Sequence, residues 1–190
     1  DNNTKKYCLP NLLINNSLLK NSKIIELPIG EISKSLQVFE TICLELIKYN
    51  IDRHSLIINL GGGVICDIGG FISSVLKRGI KFINIPTTLM SQIDASIGGK
   101  VALNLQEYKN QIGLFSNPEL VVIYPPYLSS LSDNDFLSAI AEVFKYGIVF
   151  NQSFWDKVSD MDISKNSNLT HIISECIKIK TSIVNSDYYD

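Results

Sequence analysis

Three successive glycines, Gly61, Gly62 and Gly63, close a short apolar run at residues 55–60 and are followed by Val64, Ile65, Cys66 and Asp67, then by Gly69 and Gly70. Without a Cβ, such a turn lets backbone N–H groups approach a ligand closely. A helix beginning just after it would turn a positive dipole end toward an anion. Strand, glycine turn and helix together form either a phosphate cradle for a nucleotide or a tight turn that packs helix on strand. The pattern is neither G-x-G-x-x-G nor a Walker loop. Asp67 suits a ribose or a bound water, or else it stabilises the helix dipole as a first-turn acid. Thr87 and Thr88 follow a strand end, where open α/β sheets gather ligands, although Pro86 alone would also demand a turn. Glu31 and Lys34 read most commonly as a capping acid and a solvent-facing cation.

A second set of residues could handle anions. Asp94 and Lys100 bracket a double glycine, which suits an oxyanion site or a loop with an incidental ion pair. Lys109 and Asn110 carry the same two readings. Arg78 is a helix-end cation or a phosphate fork. Glu142 and Lys145 stand three apart on a helix and share a face. Their neighbours Ile140, Ala141, Val143 and Phe144 are apolar, so the pair is either a surface salt bridge or a carboxylate placed to ligate a metal. Zinc would need two or three further ligands, typically histidines. Only His54 and His171 are present, the first in a loop and the second without a partner at ligand spacing.

The elements that must position these residues follow from periodicity. A strand is expected at residues 23–27, a helix over 33–49, and a strand at 55–60. A helix over 68–76 ends at Lys77, Arg78 and Gly79, with cations in its last turn. A strand at 80–85 and a short helix at 89–97 come next. Residues 101–118 read as a long irregular loop, and 120–123 as a short strand. Strands alternating with helices imply an α/β fold with a mostly parallel sheet. Beyond it the pattern is helical: a helix capped by Ser132 or Asp133 and running to 150, a short one at 154–158, and a long one at 168–184. That divides the chain into an α/β domain at 1–128 and the start of a helical domain at 129–190. The helical part keeps an apolar face that needs a partner.

Composition narrows the function classes. The 190 residues are 45% hydrophobic and 19% charged, with a formal net charge of -2. There is no basic block, which argues against nucleic acid or a membrane surface as partner. The four cysteines are scattered, as expected for reduced thiols in a cytoplasmic protein. No signal peptide is read. The longest apolar stretch, residues 56–76, contains five glycines and Asp67 and does not suit a membrane helix.

Taken together, Gly30-Glu31-x-x-Lys34, GGGVICD at 61–67, Arg78-Gly79, PTTLM at 86–90, DASIGGK at 94–100, Lys109-Asn110 and AEVFKYG at 141–147 resemble the sugar phosphate cyclase family, on its 3-dehydroquinate synthase branch. The resemblance implies a Rossmann-like NAD-binding domain joined to a helical metal-binding domain, with the active site between them. It implies NAD and Zn2+ (or Co2+) as cofactors, a phosphorylated sugar acid as substrate, and a homodimer. The reaction would cyclise 3-deoxy-D-arabino-heptulosonate 7-phosphate to 3-dehydroquinate and phosphate through transient oxidation. Carried over by motif, Glu31, Lys34, Gly62, Gly63, Val64, Asp67, Thr87, Thr88, Lys100 and Lys109 would bind the dinucleotide. Asp94, Lys100, Asn110 and Lys145 would act on substrate, and Arg78 would reach its phosphate across a dimer interface. Glu142 would ligate the metal. Tyr108, Tyr124 and Ala139 depart from the family's usual Gly, Asp and Gly. The family's first strand would precede Asp1, and its R-x-x-L-N-x-G-H-T motif and a second His would follow Asp190. The chain is therefore expected to be a portion of a longer enzyme, inactive by itself. Competing expectations are a related NAD- and metal-dependent polyol dehydrogenase and a nucleotide-binding remnant.

Overall fold

A computed structural model of the chain describes residues 1–164 and 167–187. It opens with two short helices, α1 (Asn2–Tyr7), capped by the Asp1 carboxylate on the Thr4 N–H at 2.9 Å, and α2 (Leu9–Asn15). Residues 23–27 belong to no sheet, so the strand expected there is not formed. Their apolar side chains Ile25 and Leu27 pack instead against the next helix, α3 (Leu36–Lys48). Ser35 caps α3 through the Val38 N–H.

The glycine run joins β1 (Leu56–Gly61) to α4 (Gly63–Val75). The helix starts at Gly63 itself, five residues ahead of the periodic apolar pattern. Beyond it come a 3-10 turn, Leu76–Arg78, and β2 (Lys81–Pro86). β1 and β2 pair in parallel from Leu56 with Lys81 to Gly61 with Pro86. The expected helix near 89–97 contains a π-helical turn, Ser91–Ala95.

The stretch expected as an irregular loop is an antiparallel hairpin, β3 (Lys100–Leu105) and β4 (Tyr108–Phe115). Its pattern was hidden for two reasons. β4 begins with a polar run, Tyr108 to Gln111, with no buried residue, and the turn uses Gln106 at φ 56° rather than an Asn-Gly pair. β3 shows the alternation that matters, because Val101 and Leu103 are buried against α4 and its neighbours. The two-residue β5 (Leu120–Val121) completes a parallel sheet in the order β1-β2-β5.

Three helices follow: α5 (Asp133–Phe150), capped by Ser132, then α6 (Gln152–Val158) and α7 (Thr170–Ser186). Ile172, Ile173, Cys176 and Ile179 of α7 are buried, as the spacing predicts. They share one core with α5 and α6 and with Leu89, Ile93 and Leu128. The helices thus close over the segment after β2, and each fully buried Ile or Leu there contributes about 2 kcal/mol. Among the described residues no helix is long and apolar enough to cross a membrane.

Candidate active site

The cradle is built where β1 stops. The Thr87 N–H donates to the Gly61 carbonyl at 2.9 Å, which ties the end of β2 to the turn and buries Thr87. A Cβ on Gly62 would stand 2.9 Å from Thr88 Cγ2, and one on Gly63 would stand 3.1 Å from Ala95 Cβ. The absence of side chains thus lets the turn lie close against Thr88 and the π-helical turn. Val64 and Asp67 are half-buried on the first two turns of α4.

Lys34 is not solvent-facing: it is 3% exposed, and its ammonium is the hub of a polar cluster. It donates to Asp67 Oδ2 at 2.7 Å and to Asn110 Oδ1, and lies 4.0 Å from Glu31 Oε1. Burial raises the Asp67 pKa, Lys34 opposes that shift, and the negative charges of Glu31 and Asp94 add to it. A desolvated cation and carboxylate held this way are costly to separate. Their place beside the glycine turn suits the hydroxyls of a ribose.

Asp94 lies on the π-helical turn that faces Gly63. Its Oδ1 accepts from the Tyr146 hydroxyl of α5 at 2.7 Å, and Lys180 of α7 lies 2.7 Å from the same oxygen. Three elements distant in sequence thus meet at one carboxylate. Gly98, at φ 97°, makes the approach possible: a Cβ there would meet Val184 Cγ2 at 3.0 Å and Lys180 Cε at 3.8 Å. Burial, the bond to Asp94 and the charge of Glu142 all push the Tyr146 hydroxyl upward, so it stays a proton donor.

Glu142 Oε1 is buried, and among the described residues no group donates a hydrogen bond to it. Its close partner is the half-exposed Lys145 ammonium, 2.5 Å away. A buried carboxylate oxygen held only by a lysine from the same helix fits a metal ligand. Among the described residues no three metal-binding side chains cluster, so Glu142 fits as one ligand of a set.

The remaining expected cations are exposed. Lys100 is exposed, its ammonium 6.0 Å from the Phe115 ring centroid, and Lys109 is exposed on β4. Arg78 is exposed beyond the C-terminal end of α4, about 20 Å along the helix from the cradle. Three residues escaped sequence reading. Tyr146 sat within a quoted motif without a role. Lys180 carries the signal of a cation on the apolar side of a helix, four residues from buried Cys176. Asn104, in β3, bonds both Glu31 and Asn110.

The model of the 3-dehydroquinate synthase N-terminal region matches residues 24–138, and that of the C-terminal region matches 139–190. The chain is similar to the 3-dehydroquinate synthase of Dictyoglomus turgidum, 45% identical over 168 residues, covering 86% of this chain and 47% of the relative. It is 42% identical over 186 residues to that of Blochmanniella pennsylvanica, covering 96% and 51%. The chain thus spans about half the length of these curated relatives. Its fold is that of 2-epi-5-epi-valiolone synthase from Streptomyces hygroscopicus subsp. jinggangensis, solved with NAD+ and Zn2+ bound (23% identity, TM-score 0.76, covering 86% of this chain and 48% of that one). A structure of 2-deoxy-scyllo-inosose synthase with carbaglucose-6-phosphate, NAD+ and Co2+ matches equally (24% identity, TM-score 0.76, 88% and 48%).

Proposed function

The chain belongs to the 3-dehydroquinate synthase family, and from that premise we propose that the protein containing it cyclises 3-deoxy-D-arabino-heptulosonate 7-phosphate to 3-dehydroquinate with loss of phosphate. One observation carries the reading: the turn bearing Asp94 packs directly on Gly63 of the cradle, so a dinucleotide side and a substrate side share a wall. Residues 1–128 form the dinucleotide-binding part and 129–190 the start of the helical part.

Bound NAD+ would supply a transient hydride acceptor, and a bound Zn2+ or Co2+ a Lewis acid at the hydroxyl being oxidised. Glu142 would hold that metal with ligands from outside the described residues. Gly62, Gly63 and Val64 present the N-terminal turn of α4 to the pyrophosphate, while Glu31, Lys34, Asp67, Thr87 and Thr88 bound the nucleoside. Lys109, and Lys100 from the near end of β3, add positive charge on that side. Asp94 accepts a hydrogen bond from the Tyr146 hydroxyl and pairs with Lys180, which holds the three side chains together between the segment after β2 and the helices. Lys100, Asn110, Lys145 and Lys180 match a substrate bearing a carboxylate and a phosphate. With NAD+ bound, transient oxidation of one hydroxyl would acidify the neighbouring C–H and so favour loss of phosphate, with no net redox change overall.

The natural full-length protein should release phosphate from the heptulosonate phosphate with catalytic NAD+ and no accumulation of NADH. Stoichiometric NADH would show a polyol dehydrogenase instead. Dinucleotide binding without turnover after zinc is added would show a remnant. The 190-residue chain alone should bind NAD+ without turnover, since among the described residues no three metal-binding side chains cluster.

A further inference from the structure

Between the Leu103–Ile112 and Leu105–Tyr108 pairs of the hairpin, Asn104 alone stands opposite three residues, Lys109, Asn110 and Gln111. This is a bulge, and it puts Asn110 in the left-handed region at φ 56°. A bulge leaves backbone groups without cross-strand partners. Asn104 answers that need and makes two further bonds. Its Oδ1 accepts from the Asn110 N–H at 2.9 Å, its Nδ2 donates to Glu31 Oε1 at 2.9 Å, and its backbone N–H donates to the Lys34 carbonyl at 2.7 Å. The Asn110 side chain in turn accepts from Lys34 Nζ. Glu31, Lys34, Asn104 and Asn110 therefore form a closed ring of contacts around residues from two distant segments. Asn104 is the member whose side chain reaches both segments as donor and acceptor at once.

We propose that Asn104 is a positioning residue: it locks the bulge so that Glu31 and Lys34, on the dinucleotide side, are held in register with Asn110, on the substrate side. The proposal rests on the NAD-binding reading above. An amide is required because the two partners make opposite demands, a backbone donor on one side and a carboxylate acceptor on the other. Aspartate at this position keeps the acceptor for Asn110 but sets a like charge against Glu31.

The test is a double-mutant cycle on the full-length protein, with NAD+ affinity measured by calorimetry for wild type, Asn104→Asp, Glu31→Gln and the double variant. Asn104→Asp should weaken NAD+ binding by about tenfold in the wild-type background and by less than about twofold in the Glu31→Gln background, where the new amide can donate to the aspartate. Amide exchange at Asn110 should stay slow in Asn104→Asp and become fast in Asn104→Ala. If Asn104→Asp does not fold, Asn104→Ser, which keeps a small acceptor and donor, replaces it in the same cycle. An equal penalty in both backgrounds overturns the coupling while leaving NAD+ binding intact. A wild-type protein that binds no NAD+ overturns both readings.

Discussion

A buried lysine is the residue with most at stake. Lys34 is held by Asp67 and Asn110 in a place where water cannot solvate it. Lys34→Met would leave the Asp67 carboxylate without its cation, and breaking such a pair costs about 3 kcal/mol. Urea denaturation should show that loss, and NAD+ affinity should fall with it. Titration of the interior gives a second expectation. Burial, helped by the charge of Glu142, pushes the Cys176 thiol from 9.0 up to about 12, and burial also raises the Tyr146 hydroxyl. Above pH ~9 the unfolded chain releases thiol protons that the native state keeps. Stability is therefore complete below the ordinary thiol pKa and is lost as pH rises through the window from 9.0 to about 12. Thermal melts across that window should show a falling Tm, with a shallower fall in Cys176→Ala.

The elements work because certain positions have no side chain. On α4, Gly69 lies over the buried Asn59, whose amide donates to Asn84 Oδ1 at 2.9 Å between β1 and β2. A Cβ at Gly69 would fall 1.9 Å from Asn59 Oδ1, so Gly69→Ala must displace the Asn59 amide and disrupt its bond to Asn84. We expect about 2–3 kcal/mol of destabilisation, read from the denaturant midpoint. Gly62→Ala acts at the open end of the same helix, where the new methyl would press on Thr88. Its Tm should shift by only a few degrees, about 1 kcal/mol, while NAD+ binding weakens at least tenfold, which separates the cradle's function from its packing. The hairpin plays a comparable part: its buried strand anchors on α4, and its polar strand carries Asn110 to Lys34.

At the scale of the molecule, Arg78 stands about 20 Å along α4 from the cradle, on an exposed turn with positive φ at both Lys77 and Arg78. In the homodimer that the family likeness implies, we propose that Arg78 serves the site of the other subunit. Arg78→Ala should leave stability within about 0.5 kcal/mol of wild type and sharply lower phosphate release. Mixing it with Asp94→Asn, each inactive alone, should restore about a quarter of the activity, because half of the randomly re-paired dimers would contain one intact site. No recovery on mixing would place Arg78 outside the site.

Much of this arrangement was legible in the chain. Period-3.6 apolar spacing identified α3 and α7, a capping Ser132 or Asp133 identified α5, and an apolar run stopped by glycine identified β1, because these signals are local, while the apolar pattern of α4 was read only from residue 68. So were the motifs at Glu31, Asp67, Asp94 and Glu142, whose residue types and order carry the family likeness. The hairpin was lost because a strand with a solvated face and a bulge has no hydrophobic period to read. The three-way meeting of Asp94, Tyr146 and Lys180 was lost for a different reason. It joins Asp94 to side chains 52 and 86 residues further along the chain, brought together by the burial of α5 and α7 over the segment after β2. Composition and spacing determined which groups the chain owns and which elements carry them. Tertiary packing decided which of those groups lose water together, and desolvation is what sets Lys34, Asp67 and Glu142 apart from ordinary surface charges.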